Sequence, residues 1–314
     1  MKVAILHNRH PAVPDPALPD DAFEEYDSEE TIGAIAESLA KLDIAPVPVI
    51  AGRNLPRQLE EGGFDFVFNI AEGAGRRSRE AVPAAVCELL GIPYTGSDPL
   101  TLAISLDKVI ACRIVSPDVP IANSSNPGYP VIVKPRDEGS SIGIRSSALC
   151  HTESEASERA RALEQTYGCP VLIEEFLPGM EVTVGIAGNG RGTRILGMME
   201  IAPALPDGPP FIYSLEVKRD YRNRVRYHVP PRLPQAAIDT LRQYALAAYS
   251  LLGCRDIARI DFRLDAEGCP RFIECNPLPG LNPESGDIAI LSRNILSYDA
   301  LIQGIFLDAR QRLS

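Results

Sequence analysis

The chain has 314 residues, 45% hydrophobic and 23% charged, with a net charge of -11 and a pI near 5.0. Its length holds two or three domains' worth of core. The acidic balance argues against a general nucleic-acid or anionic-membrane binder, leaving only a local basic patch open, and no apolar run reaches the roughly 20 residues that span a bilayer.

Residues 2–6 read as a buried strand, and Met1-Lys2-Val3-Ala4-Ile5-Leu6 carries no signal-peptide pattern, which predicts a cytoplasmic protein. A helix is expected over 28–42, short strands at Pro46–Ile50 and Phe64–Phe68, and a second helix over Ser78–Leu90. Strands alternating with helices predict βαβ units and a parallel sheet, a first α/β domain over 1–95. Between its first strand and helix, His10–Asp20 holds four prolines and reads as a loop. That is where α/β folds build ligand sites; a plain surface loop is the alternative.

Asp107–Ser116 reads as a helix and Pro130–Pro135 as a buried strand ended by proline. A helix near 153–167 and a strand at Val171–Leu177, stopped by Pro178-Gly179, come next. Residues 181–187 and 194–201 predict strands of an antiparallel layer, and 203–231 a long irregular, proline-rich stretch of the kind that is usually functional. Helices near 235–252 and 298–312 flank a hairpin. Seven cysteines lack Cys-x-x-Cys spacing and four histidines lack zinc spacing, which predicts free thiols.

The hairpin carries the chemistry. Arg259-Ile260-Asp261-Phe262 and Phe272-Ile273-Glu274-Cys275-Asn276 flank the turn Asp265–Gly268. Residues two apart share a strand face, so Asp261, Glu274 and Asn276 converge as oxygen donors beside Arg259. Oxygen donors without His or thiolate suit Mg²⁺ bridging to phosphates. The loop Glu138-Gly139-Ser140-Ser141-Ile142-Gly143 offers backbone N–H groups and hydroxyls to phosphate, without Walker A lysine spacing. Lys134, at an apolar strand end, needs an anionic partner. Glu174, Glu175 and Glu181 suit an adenosine, with a solvated strand end as the alternative for the first two.

Lys108, Val133-Lys134-Pro135, the Gly-Ser-Ser loop, Glu174 to Glu181, Arg259-Ile260-Asp261 and Glu274-Cys275-Asn276-Pro277 occur in the order of the ATP-grasp ligases. The chain most resembles the D-alanine–D-alanine ligase family. Ile92-Pro93-Tyr94-Thr95-Gly96-Ser97 and the segment Asn276 to Ser285 add to the likeness, which covers nearly everything beyond residue 64. The resemblance implies an α/β (α+β) ATP-grasp fold with an N-terminal Rossmann-like pre-ATP-grasp domain at 1–95, a central subdomain at 96–178 and a C-terminal one at 179–314.

It also implies an ADP-forming carboxylate–amine ligase that makes a peptide bond through an acylphosphate, using ATP and two Mg²⁺ (or Mn²⁺). Lys108, Lys134 and Lys218 would contact phosphates, with Ser140 and Ser141 on the covering loop. Glu174 and Leu177 would border adenine and Glu181 the ribose. Asp261, Glu274 and Asn276 would hold metal. Arg259 and the Gly280 N–H would stabilise an oxyanion, and Ser285 would hold the acceptor carboxylate. The implied partners are amino-acid or dipeptide-like substrates and a second copy in a homodimer, with neither nucleic acid nor membrane.

The departures concern substrate. Arg219 stands where the family has tyrosine. Glu72-Gly73 replaces its His-Gly pair, and one further change, on the ATP side, puts Glu175 where the family often has a lysine beside the adenine. The family's early glycine-rich loop with a substrate-facing glutamate is missing; Glu24, Glu25 and Glu29 are the candidates to replace that side chain. These changes predict substrate subsites at Glu72 and Arg219 unlike those for D-alanine, with Tyr213 or Tyr221 filling the tyrosine's role as the alternative. An ATP-grasp enzyme that cyclises one substrate and a non-catalytic ATP-binding homologue are the other readings.

Overall fold

The structure, a computed structural model, describes residues 1–313 apart from 12–14, 76, 206–207 and 209. Pro14 of the proline-rich loop and Arg76 lie outside the described residues. In chain order the first part runs β1 (Lys2–His7), α1 (Glu29–Ala40), β2 (Ala45–Ile50), α2 (Leu55–Gly62), β3 (Phe66–Asn69) and α3 (Ala81–Leu90). Next come α4 (Pro99–Leu106), α5 (Lys108–Val115), β4 (Val131–Pro135), β5 (Leu149–Cys150), α6 (Glu153–Tyr167) and β6 (Val171–Glu175). The remainder is β7 (Glu181–Ala187), β8 (Arg194–Pro203), α7 (Leu215–Arg219), α8 (Tyr221–Arg224), β9 (Val225–His228), α9 (Gln235–Leu252), β10 (Ile257–Leu264), β11 (Pro270–Asn276), α10 (Asp287–Ser292) and α11 (Tyr298–Arg312).

The first sheet is parallel, with β1 between β2 and β3. β1 is apolar without alternation because both faces are covered. Val3 and Ile5 join Ile35, Phe66 and Phe306 on one face, while Ala4 and Leu6 join Leu59, Val67 and Ala84 on the other. The Ser28 hydroxyl accepts from the Thr31 N–H, and Glu29 and Glu30 lie in the first turn, so α1 begins with both its cap and its dipole satisfied.

A three-stranded antiparallel sheet (β5-β4-β6) faces a five-stranded antiparallel sheet (β11-β10-β7-β8-β9) across a cleft. Val184, Ile260, Phe262 and Phe272 bury the far face of the larger sheet against α5 and α9. On its near face, Gly185 and Gly197 are paired in register. A Cβ on Gly185 would come within 2.6 Å of Leu291, and one on Gly197 within 2.4 Å of its carbonyl oxygen. Only glycine therefore lets α10 sit this close, and that seat delivers Asp287 to the site.

The stretch 203–231, expected to be irregular, contains α7, α8 and the edge strand β9. Helices of four and five residues are too short for a periodic signal, and β9 is specified by pairing with β8. The helix expected from Ser78 starts at Ala81, after a turn. The sequence reading also passed over α2, α4 and α10.

Asp256, fully buried at φ 62°, fastens the units together. It accepts from the Gly96 N–H (2.8 Å), the Asn189 amide (2.7 Å) and Arg312 (2.8 Å). Among the described residues no helix is long and apolar enough to cross a membrane.

Candidate active site

The hairpin forms one wall. In register, Arg259 faces Asn276 and Asp261 faces Glu274, so all four side chains share a face. Arg259 grips the Asp261 carboxylate through Nε and Nη2 at 3.1 and 2.9 Å, and reaches Asp287 through Nη1 at 2.7 Å. Thr183 donates its hydroxyl to Asp261 in a short hydrogen bond. The Asn276 amide donates to Asp261 at 3.2 Å and to Glu274 at 3.4 Å. Burial pushes the Glu274 carboxyl up, but Lys108 and Arg259 outweigh it and hold it down at about 2. Burial raises Asp261 by more than Arg259 lowers it.

Two buried lysines project from the other elements. Lys108, capped into α5 by Asp107, lies 3.3 Å from Glu274 and donates to the Glu138 carbonyl. Lys134, near the end of β4, pairs with Glu174 of β6 at 2.5 Å, both largely sealed from water. The anionic partner that Lys134 requires is therefore supplied by the fold, and Glu174 is not a solvated strand end. Glu175 instead accepts from the Asn123 N–H at 2.8 Å. Glu181 is pushed up to about 7, by burial against the pull of Arg263 at 3.4 Å. Ser140 and Ser141 both adopt left-handed backbone, φ 49° and 60°, an uncommon state for residues other than glycine that clusters at ligand-gripping loops. The Ser141 hydroxyl donates to the Tyr213 carbonyl at 3.0 Å.

Residues 20–27 form a strap over this loop. Asp21 is fully buried and accepts from Tyr167 (2.8 Å) and the Gly143 N–H (3.1 Å). Glu25 receives Arg79 at 2.7 Å on each oxygen, and the Gly139 N–H at 2.9 Å. Arg219, half exposed, turns to the strap, donating to Asp20 at 2.8 Å and to Glu24 at 2.8 Å. Tyr213 and Tyr227 share a 2.9 Å hydrogen bond and line the cavity with Tyr221. Of the three glutamates weighed for the missing loop residue, Glu24 and Glu25 line the cavity; Glu29 opens α1 and is exposed.

Two cavities result. The first, about 350 Å³, takes in Glu72, Arg219, Gly280, Ser285, Lys108 and Asn276. The second, between the two antiparallel sheets, takes in Lys134, Ser141, Glu174, Leu177, Glu181 and Asp261. Ser140, Lys218, Arg259 and Glu274 line both. The Lys218 ammonium makes no hydrogen bond or ion pair with the described residues, and burial followed by the nearby Arg259 lowers its affinity for a proton. Asp287 and Glu80 also line the first cavity. The sequence reading did not single them out: Asp287 meets Arg259 from 28 residues away, and Glu80 sits in a charged run with no local pattern. Asp287 at the first turn of a helix was the one local signal.

The comparisons agree with this geometry. The family model described as D-ala D-ala ligase C-terminus matches residues 115–306. The D-alanine–D-alanine ligase of Bordetella avium is 31% identical over 275 residues, covering 81% of each chain, and an uncharacterised protein of Sinorhizobium fredii is 32% identical over 263 residues, covering 79% of this chain and 75% of its own. Among solved structures, a D-alanine–D-alanine ligase of Bacillus anthracis complexed with ATP superposes with a TM-score of 0.73 at 19% identity, covering 99% of this chain and 98% of that one. The VanG D-Ala:D-Ser ligase of Enterococcus faecalis gives 0.70 at 19%, covering 98% and 99%. This chain belongs to the D-alanine–D-alanine ligase family and has the ATP-grasp fold.

Proposed function

We propose that the chain is an ADP-forming, ATP- and Mg²⁺-dependent carboxylate–amine ligase whose amino-acid substrates are not two D-alanines. The observation that carries this reading is the meeting of the two cavities at Ser140, Lys218, Arg259 and Glu274. ATP enters the second cavity, with Leu177 and Glu174 toward the base, Glu181 toward the ribose, and Lys134, Lys108 and Ser141 toward the phosphates. A substrate carboxylate in the first cavity takes the γ-phosphoryl group at the junction. An amine held near Gly280 and Ser285 then displaces phosphate, forming the amide. Phosphoryl transfer is mainly positioning and charge neutralisation, which suits the free Lys218 ammonium at the junction. Arg259 faces the carbonyl oxygen as it gains charge.

The donor set fits Mg²⁺. Asp261, Glu274 and Asn276 offer only oxygen once the Asn276 amide is turned over. Bound there, the ion would neutralise charge on the phosphates. The substrate shift is supported by Glu72 in the first cavity and by Arg219, which serves the strap, leaving Tyr213, Tyr221 and Tyr227 as the aromatic lining. Seven free cysteines support a reducing, cytoplasmic setting. The three sheets support units divided near residues 95 and 178. The test is ADP release from Mg²⁺·ATP across a panel of D- and L-amino acids, with product masses. AMP and pyrophosphate in place of ADP would sink the acylphosphate route, and a product one water lighter than a single substrate would indicate cyclisation.

A further inference from the structure

At the carboxyl end of the parallel sheet, one oxygen from each of Glu25, Glu72 and Glu80 lies within 4.8 Å of the other two. Glu25 is already neutralised by its bidentate contact with Arg79. Glu72 and Glu80 have no hydrogen bond or ion pair with the described residues, although Glu80 is only 7% exposed and lines the first cavity. The nearby cations are committed elsewhere, Arg79 to Glu25 and Glu138, and Lys108 to Glu274. Two carboxyl groups this close can both ionise only at a high cost unless a cation lies between them. A single α-ammonium compensates one of them.

We propose that the first cavity selects a diamino acid, whose second ammonium is held by Glu72 and Glu80. This rests on the ligase reading and names the substrate class for it. Burial pushes the Glu80 carboxyl up to about 8, and Glu25 adds to the rise, so an ammonium bound beside it would displace that proton and be held by the carboxylate. The geometry admits a short ω-amino side chain reaching past the α-carbon toward the end of β3, with the carboxylate pointing to Lys218 and Arg259.

The experiment measures ADP release with Mg²⁺·ATP for both enantiomers of 2,3-diaminopropionate, 2,4-diaminobutyrate, ornithine and lysine against alanine and serine. One diamino acid should exceed alanine in kcat/KM by about 100-fold or more, because a site built for a polar group rejects analogues lacking it. Glu80→Gln, which keeps the shape, should reduce that preference to near parity. A neutral amino acid preferred by the wild type overturns the proposal, since Glu72 and Glu80 would then share a proton. So does an unchanged preference in Glu80→Gln, or calorimetric binding of Mg²⁺ alone that this variant abolishes. If no amino acid releases ADP, the ligase reading falls; thermal stabilisation of the wild type by diamino acids but not alanine, lost in Glu80→Gln, would still uphold the pocket, and its absence would overturn it.

Discussion

Arg259 and Asp287 meet at 2.7 Å through one guanidinium nitrogen, while the rest of the guanidinium holds Asp261. Arg259→Ala would leave two buried carboxylates without their partner. It should lower stability by about 3–5 kcal/mol, measured by urea unfolding without metal. It should also cut ligation about 10²–10³-fold with little change in the KM for ATP. A variant with the wild-type ligation rate would exclude the oxyanion role.

Lys134 and Glu174 form the second buried pair. Lys134→Ala should cost about 3–5 kcal/mol, whereas Lys134→Met combined with Glu174→Leu should recover most of that loss, since apolar replacement of a buried pair is close to neutral. Both forms should bind ATP weakly. Urea midpoints compared at constant slope separate the two effects; tight ATP binding by the double variant would show that Lys134 only balances charge.

Arg219 lies 40% exposed, and its partner Asp20 is more open still. Arg219→Ala should therefore change stability by about 1 kcal/mol or less. Its effect should appear as faster amide hydrogen exchange over 15–28 and 215–224, and as a raised KM for the amino acid. Unchanged exchange would mean that Asp21 and Glu25, with Tyr167, Gly143, Arg79 and Gly139, hold the strap without Arg219.

Burial alone pushes the Asp27 carboxyl up to about 7 from an ordinary 3.8. A raised carboxyl favours folding below its unfolded value, and that advantage is lost as pH rises through the folded one. Asp27→Asn should thus raise the melting temperature near pH 8, by about 1–2 kcal/mol of stability, and progressively less toward pH 4. Equal gains at both pH values would mean that Asp27 is not the titrating group.

The hairpin was legible because strand alternation is local, so Asp261, Glu274, Asn276 and Arg259 could be placed on one face from spacing alone. The apolar run at 2–6 likewise told of a strand covered on both faces. Other features depend on partners far away in sequence. Glu25 meets Arg79 across 54 residues and Arg219 meets Asp20 across 199, and neither spacing has a local pattern. Out of context Glu174 read more readily as a solvated strand end than as an adenine neighbour; its pairing with Lys134 of the adjacent strand, two register positions away from the residue it faces, has no local signal. α10, only six residues long, was invisible because its seat depends on Gly185 and Gly197 being paired in the five-stranded sheet beneath it.

The Asp256 junction sets an order of assembly. Arg312 reaches the Gly96 carbonyl across 216 residues as well as Asp256. Contacts so distant along the chain close late and slow folding, because loop-closure entropy is lost before they form. During synthesis the first sheet can form early, yet its α11 face, with Phe66 against Phe306, stays open until the last helix emerges. Until α11 is made, the nascent chain therefore exposes a sticky apolar surface on this face of the sheet.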